Sequence, residues 1–148
     1  MAGVIVLDQL TKWWIMTSLF LYESREVVPG FFNLTFVTNS GAAFGFLAGR
    51  ETALRQAFFI GVSLAALAAL AFAYRHFREE GRLAVTALGL IGGGAIGNLI
   101  DRLRFGRVID FFDVYVGSYH WPAFKVADAA ITIGAGLLIL CSLKGCRE

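Results

Sequence analysis

The sequence has little charge and few of the residues that build metal sites. Charged residues make up 16% of the 148 residues, whereas 57% are hydrophobic, and this balance is too apolar for a soluble domain of this length. The net charge is only +2 and the arginines are scattered without an aromatic stacking pattern, which excludes a nucleic-acid partner. The composition therefore predicts an integral membrane protein.

Histidine and cysteine are too scarce for the common metal-dependent and triad-based hydrolytic sites. The histidines are His76, in a charged loop, and His120. The cysteines, Cys141 and Cys146, lie at the C-terminal end without metal-ligand spacing, and we expect both to be free thiols. A site of histidine ligands and a Ser-His-Asp triad lack the necessary residues, so neither a metal nor another cofactor is predicted.

Four apolar segments predict four membrane-spanning helices. They cover residues 1–21, 54–74, 83–103 and 126–143. The first contains Asp8 and Lys12, which are four residues apart on one helix face, so each charge offsets the other's cost in hydrocarbon. Four spans place both termini on one side of the membrane, but arginines occur in the loops on both sides and do not show which side that is.

Small and polar residues follow one another along the third segment. Glycine recurs every four residues from Gly89 to Gly97, which predicts close packing against another helix. Asn98, Asp101 and Arg102 then bring polar groups to the end of this segment. They either form hydrogen bonds between helices or line a site.

Two regions are predicted to lie outside the bilayer. Residues 23–50 begin with β-branched and aromatic residues in rough alternation after a Pro-Gly turn signal, which is typical of strands, and continue into a loop of small residues. Residues 104–125 are predicted to be a loop, to which the family resemblance described below adds a short helix. This second region contains glycine and a Trp-Pro pair, so it cannot cross the membrane.

Aspartates are concentrated around this second region. Asp110 and Asp128 flank a stretch too short and irregular to span a bilayer, so both lie at one membrane face. Two neighbouring carboxylates share a proton, which suits them to activate water and protonate a leaving amide nitrogen, as in an aspartic peptidase. Asp113 is interpreted as a solvated loop acid. An ion carrier using Asp8, Asp101 and Asp128 as a relay, or a membrane scaffold protein, remains an alternative on residue chemistry alone.

Five short blocks, in this order, resemble the signature blocks of bacterial lipoprotein signal peptidase, the type II signal peptidase. They are DQLTK at 8–12, NSGAAFG at 39–45, GNLIDR at 97–102, VIDF at 108–111 and VAD at 126–128. The family's first helix usually has several more residues before the first block, so we expect this helix to be short on its cytoplasmic side.

The resemblance implies a membrane protein, mainly α, with four transmembrane helices, a small periplasmic β-cradle and a short periplasmic helix. It implies a monomer in the bacterial inner membrane, with cytoplasmic termini and an active site at the periplasmic face. The implied activity is removal of the signal peptide from diacylglyceryl-modified prolipoproteins just before the lipidated cysteine. Membrane phospholipid is an implied partner and globomycin an implied inhibitor.

The resemblance also implies roles for individual residues. The catalytic pair is Asp110 and Asp128, and the substrate-binding or supporting residues are Asn39, Gly41, Asn98, Arg102, Asp8, Lys12, Asp101 and Lys125. The family's last block normally reads Phe-Asn-x-Ala-Asp, and this chain has Lys125 in the place of the asparagine. Lys125 and Asp128 lie about one helical turn apart. The Lys125 ammonium therefore either approaches the aspartate pair and lowers its upper apparent pKa, or extends to lipid phosphates.

Overall fold

In residues 1–41, 53–79 and 81–144, the part of the chain that this computed structural model describes, the apolar segments form four helices. They are α1 (Ala2–Ser18), α2 (Ala53–Phe77), α3 (Arg82–Phe105) and α4 (Val126–Lys144). Both prolines of the chain, Pro29 and Pro122, lie outside these helices, as expected of a residue that lacks a backbone N–H donor. The sequence pattern therefore predicts these helices well.

Three of the described helices are long and apolar enough to cross a membrane, as judged by length and composition. The candidate spans are Ala53–Arg75, Arg82–Phe105 and Val126–Leu143. Helix α1 has 17 residues, and at about 1.5 Å per residue it is roughly 25 Å long, slightly less than the hydrocarbon core of a bilayer. The first predicted span, residues 1–21, therefore remains a prediction.

The glycine face of α3 packs against α1. A methyl group at Gly93 would lie 2.7 Å from Cβ of Val4, and one at Gly97 would lie 2.5 Å from a carboxylate oxygen of Asp8. Both separations are shorter than van der Waals contact, so only glycine allows this approach. The predicted close packing of another helix against this face is confirmed.

A second glycine contact joins α3 to α4, and the sequence analysis did not find it. A methyl group at Gly94 would overlap the carbonyl oxygen of Ala127, and one at Gly134 would lie 2.7 Å from the carbonyl oxygen of Ala87. The two helix backbones therefore touch at two places. One contact uses a glycine of α3, and the other uses a glycine of α4.

Four antiparallel strands form a sheet in the order β1-β2-β3-β4. They are β1 (Ser24–Val28), β2 (Phe32–Asn39), β3 (Val108–Val116) and β4 (Tyr119–His120). The first two lie within residues 23–50, where strands were predicted, and residues 42–52 lie outside the described part of the chain. The prediction of a loop or short helix over residues 104–125 was wrong, because VIDFFDVYV is rich in β-branched and aromatic residues and pairs with β2.

The alternation of side chains along β3 places its two aspartates on opposite faces of the strand. Asp110 pairs with Val37 and is 4% exposed, whereas Asp113 lies three residues later and so on the opposite face of the strand. Asn33 donates a 3.0 Å hydrogen bond to the Asp113 carboxylate, and Nδ1 of His120 lies 2.8 Å from it. The interpretation of Asp113 as a solvated loop acid was therefore wrong.

A small apolar cluster lies where the helices meet the sheet. Ile15 and Leu19, at the end of α1, pack with Phe111 of β3, and all three are buried. Leu34, Phe36, Phe112 and Val126 surround them. Because Phe111 follows Asp110 directly, this cluster fixes the position of the Asp110 backbone.

The expectation of free thiols was wrong for Cys141. This residue lies near the end of α4, is fully buried and is disulfide-bonded. Cys146 lies outside the described residues.

Candidate active site

A cavity of about 560 Å³ lies where α3, β3 and α4 meet. Seven of the residues predicted to form the site line it, namely Asn39, Gly41, Asn98, Arg102, Asp110, Lys125 and Asp128. The rest of the wall is mostly apolar and includes Trp121, Pro122 and Phe124. The cavity thus combines a few convergent polar groups with an apolar wall, as small-molecule and peptide sites commonly do.

The Lys125 side chain joins the two predicted catalytic aspartates. Its Nζ atom donates to Oδ1 of Asp110 at 2.5 Å and to Oδ2 of Asp128 at 2.8 Å. Both Lys125 and Asp110 are 4% exposed. This contact agrees with the prediction that the ammonium approaches the pair, and the alternative of a side chain extended to lipid phosphates was wrong.

The backbone holds Lys125 firmly on both sides. Phe124 pairs with Phe112 through two backbone hydrogen bonds of 2.8 and 3.1 Å, and the Lys125 carbonyl accepts a hydrogen bond from the Ala129 N–H in the first turn of α4. A cation at a helix N-terminus is disfavoured by the helix dipole. The two carboxylates compensate for this unfavourable position.

Burial and the neighbouring charges shift the pKa values of Asp110 and Lys125 in opposite directions. Burial raises the pKa of Asp110, and the Lys125 ammonium only partly opposes that effect. Burial lowers the pKa of Lys125, but the carboxylates of Asp110 and Asp128 outweigh it and raise the pKa above its ordinary value. The lysine therefore keeps its charge, and Asp110 accepts a proton more readily than an exposed aspartate does.

A second Asp-Lys-Asp bridge lies behind the cavity. Lys12 Nζ is 2.6 Å from Asp8 and 2.7 Å from Asp101, and these side chains are no more than 1% exposed. Gln9 also donates to the Asp101 carboxylate at 3.0 Å. The predicted Asp8–Lys12 pair within α1 thus extends to α3, and it forms a fully buried ion network.

Each carboxylate of this second bridge also holds the backbone next to one cavity aspartate. Oδ1 of Asp8 accepts a 2.9 Å hydrogen bond from the Ala127 N–H, directly before Asp128. Oδ2 of Asp101 accepts a 3.2 Å hydrogen bond from the Ile109 N–H, directly before Asp110. The Asp8–Lys12–Asp101 network therefore sets where the two aspartates lie relative to one another.

The remaining predicted residues lie around the rim of the aspartate pair. Asn98 donates to Oδ1 of Asp128 at 3.3 Å, while its own Oδ1 is buried and accepts no hydrogen bond from the described residues. The Arg102 guanidinium donates to the Gly41 carbonyl at 3.4 Å and stacks over the Phe59 ring. All ten predicted site residues thus belong either to the cavity or to the network behind it.

The two aspartates are arranged for hydrolysis in which one acts as a general acid and the other as a general base. Two carboxylates face one cavity in environments of different exposure, with the Asp110 side chain 5% and the Asp128 side chain 26% exposed. Such a difference lets one group act as acid and the other as base. Among residues 1–41, 53–79 and 81–144, the histidine, cysteine and acidic side chains form no group of three that could hold a metal ion.

The sequence of the chain matches the family model described as signal peptidase (SPase) II over residues 1–144. The chain belongs to the signal peptidase II family. Because this is a family of aspartic endopeptidases, the chain is an enzyme, and the ion-carrier and scaffold alternatives are not needed.

Proteins similar to this chain support its assignment to the signal peptidase II family over nearly the full length. The lipoprotein signal peptidase of Geobacter metallireducens is 52% identical over 144 residues, which cover 97% of this chain and 88% of the relative. That of Syntrophus aciditrophicus is 47% identical, with 98% and 90% covered. A solved bacterial membrane enzyme is 36% identical and superposes with a TM-score of 0.86 over 97% of this chain and 84% of its own.

Some residues of this candidate site were not found from the sequence. Gln9 lies in the DQLTK block between Asp8 and Lys12, and its side chain donates a hydrogen bond to Asp101; a polar residue beside the charged pair is the signal that could have found it. Trp121 and Pro122 were interpreted only as breaks in the chain, yet they form part of the cavity wall. An aromatic-proline pair between two acids is a signal that could have placed them there.

Proposed function

We propose that the chain cleaves the signal peptide from diacylglyceryl-modified prolipoproteins just before the lipidated cysteine, with Asp110 and Asp128 as the catalytic pair. The observation that carries this proposal is the meeting of both carboxylates at one cavity. The family supplies the type of reaction, and its relatives are named lipoprotein signal peptidases.

The two aspartates have different roles in this proposal. Asp128 is the more exposed, and Asn98 orients one of its oxygens, so it is the general base that removes a proton from the attacking water. Asp110 is buried and that burial raises its pKa, so it accepts a proton readily and is the group that passes one to the leaving nitrogen. The apolar wall limits access of other water molecules to the reacting bond.

The supporting residues bind the substrate chain or hold the pair in place. The free acceptor of Asn98 is positioned to receive a backbone N–H of the substrate. Arg102, Asn39 and Gly41 border the cavity, where they contact the extended substrate. Asp8, Lys12 and Asp101 act from behind, through the backbone next to each aspartate.

The membrane arrangement is part of the same proposal. Four helices, including α1, cross the bacterial inner membrane, with both termini in the cytoplasm and the sheet and cavity at the periplasmic face. Exposed apolar residues on α1 such as Val6 and Leu10 face lipid, and the exposed Trp13 and Trp14 lie toward the sheet end, where interfacial aromatics are expected. In this proposal the protein acts as a monomer. Membrane phospholipid surrounds it, and globomycin inhibits it.

The experiment is cleavage of a purified prolipoprotein in detergent, with and without the diacylglyceryl group, followed by mass spectrometry. We expect loss of the signal peptide at the residue before the cysteine, and only from the lipidated form. Asp110→Asn and Asp128→Asn should each reduce cleavage by at least about 100-fold while the protein stays folded, because each removes one proton-transfer group.

Asp113→Asn is the matched control, since Asp113 lies on the same strand but on its other face. We expect it to retain cleavage. An inactive Asp113→Asn beside an active Asp110→Asn would show that the catalytic pair is assigned wrongly. Equal cleavage of the lipidated and unlipidated forms would contradict the proposed substrate.

A further inference from the structure

The position of Lys125 bears on which side chain holds the proton that is transferred during the reaction. Two neighbouring carboxylates without a cation share one proton, and the pair then carries one negative charge. Here an ammonium lies between them, 2.5 Å from Asp110 and 2.8 Å from Asp128. Two ionised carboxylates with one ammonium also carry one negative charge.

The charged groups around Lys125 also add up to one negative charge. Four carboxylates and three cations come from α1, α3, β3, α4 and the residue before α4, namely Asp8, Asp101, Asp110, Asp128, Lys12, Arg102 and Lys125. Lys12 is already held by two of the carboxylates. Without Lys125, four carboxylates would face two cations, and the cavity pair would take up a proton to lower the repulsion.

We propose that Lys125 carries the proton that the Asp110–Asp128 pair would otherwise share, so that both aspartates are ionised before the reaction and Lys125 supplies the proton through Asp110. This inference rests on the proposed function, since it assigns a proton-holding residue to the same site. Lys125 acts on the substrate only through the two carboxylates that it contacts. We therefore class it as a positioning residue.

The proton transfers balance over one turnover. Asp128 takes a proton from water as the water oxygen bonds to the carbonyl carbon. The carbon–nitrogen bond then breaks, and the nitrogen takes a proton from Asp110, which receives it from Lys125. Asp128 returns its proton to the Lys125 amine, so the site regains its starting charges and the products are a carboxyl group and an amine.

This assignment predicts the alkaline side of the pH profile. A shared carboxyl proton is lost at a much lower pH than a lysine proton, and here two carboxylates further raise the pKa of Lys125. Cleavage by the unsubstituted protein should therefore persist to alkaline pH. In Lys125→Asn the alkaline limb should move to lower pH by more than about one unit. Lys125→Arg keeps the charge but does not release a proton, and its cleavage rate should fall at least about tenfold.

The second measurement does not depend on cleavage. Infrared spectra near neutral pH report protonated carboxyl groups, and adding Asp110→Asn to the unsubstituted protein and to Lys125→Asn shows whether an absorption belongs to the pair. We expect no such absorption in the unsubstituted protein and a clear one in Lys125→Asn. Failure of the unsubstituted protein to cleave any prolipoprotein would refute the proposed function and leave the infrared result to decide on Lys125.

Three results would overturn the inference. A protonated carboxyl of Asp110 or Asp128 in the unsubstituted protein would place the proton on the pair itself. Superimposable pH profiles of the unsubstituted protein and Lys125→Asn would show that the ammonium does not supply the proton. An alkaline limb at higher pH in Lys125→Asn would show that Lys125 only lowers the pKa of a carboxyl proton that the reaction still needs.

Discussion

Replacing Lys12 with methionine tests the buried network behind the cavity. The change removes an ammonium that lies 2.6 Å from Asp8 and 2.7 Å from Asp101, while keeping a flexible apolar side chain of similar length. Neither carboxylate can regain water contacts, because Asp8 is fully buried and Asp101 is 1% exposed. Removing one partner of a buried ion pair generally costs about 3–5 kcal/mol, and we expect a loss of that size.

The same change should also reduce cleavage. Asp8 and Asp101 hold the backbone N–H groups of Ala127 and Ile109, so a rearrangement of the network displaces the catalytic aspartates. A displacement of about 1 Å can reduce an enzymatic rate roughly 100-fold. Unfolding temperature in detergent and the rate of prolipoprotein cleavage are the two measurements.

Arg25→Met is the matched control for the loss of an ion pair. Arg25 lies 3.8 Å from Glu23 and its side chain is 61% exposed, so its removal should cost less than about 1 kcal/mol. A Lys12→Met protein that unfolds at the same temperature as Arg25→Met would refute the reasoning. It would show that the buried carboxylates do not depend on this ammonium.

Two further predictions concern helix packing and metal independence. Gly94→Ala should destabilise the protein by about 1–3 kcal/mol, because the added methyl group would meet Ala127 and Ile131, whereas Gly61→Ala in α2 meets nothing within 4 Å and should not destabilise it. Thermal unfolding in one detergent compares them, and equal losses would contradict the packing argument. Cleavage should continue in EDTA, since the described residues offer no group of three metal ligands. Activity that EDTA abolishes and zinc restores would contradict this expectation.

The sequence predicted the helices and the composition of the site well, because both depend on local patterns. Apolar length identifies a helix in a membrane, and glycine spacing identified the α3 face that packs against α1. The site residues lay in or next to five short blocks, which could be recognised because they occur in the family's order. The prediction that Asp8 and Lys12 pair within α1 also needed only their spacing, and it is confirmed.

The features that the sequence did not reveal depend on pairing between distant segments. Strand β3 was mistaken for a loop or helix, because its β-branched and aromatic residues were not read as a strand and its partner β2 lies about 75 residues earlier. The same pairing turns Asp113 toward Asn33 and His120. The choice between an aspartate contact and a lipid contact for Lys125 required the position of Asp110, which belongs to another element.

The mutual glycine contacts of α3 and α4 have a consequence for how the site opens. Gly94 meets the Ala127 backbone and Gly134 meets the Ala87 backbone, so no layer of side chains separates the two helices along this contact. Closely packed backbones move from one arrangement to another in discrete steps and do not slide gradually. The α3–α4 wall of the cavity therefore keeps a fixed geometry, and any chain that binds there has to fit against it.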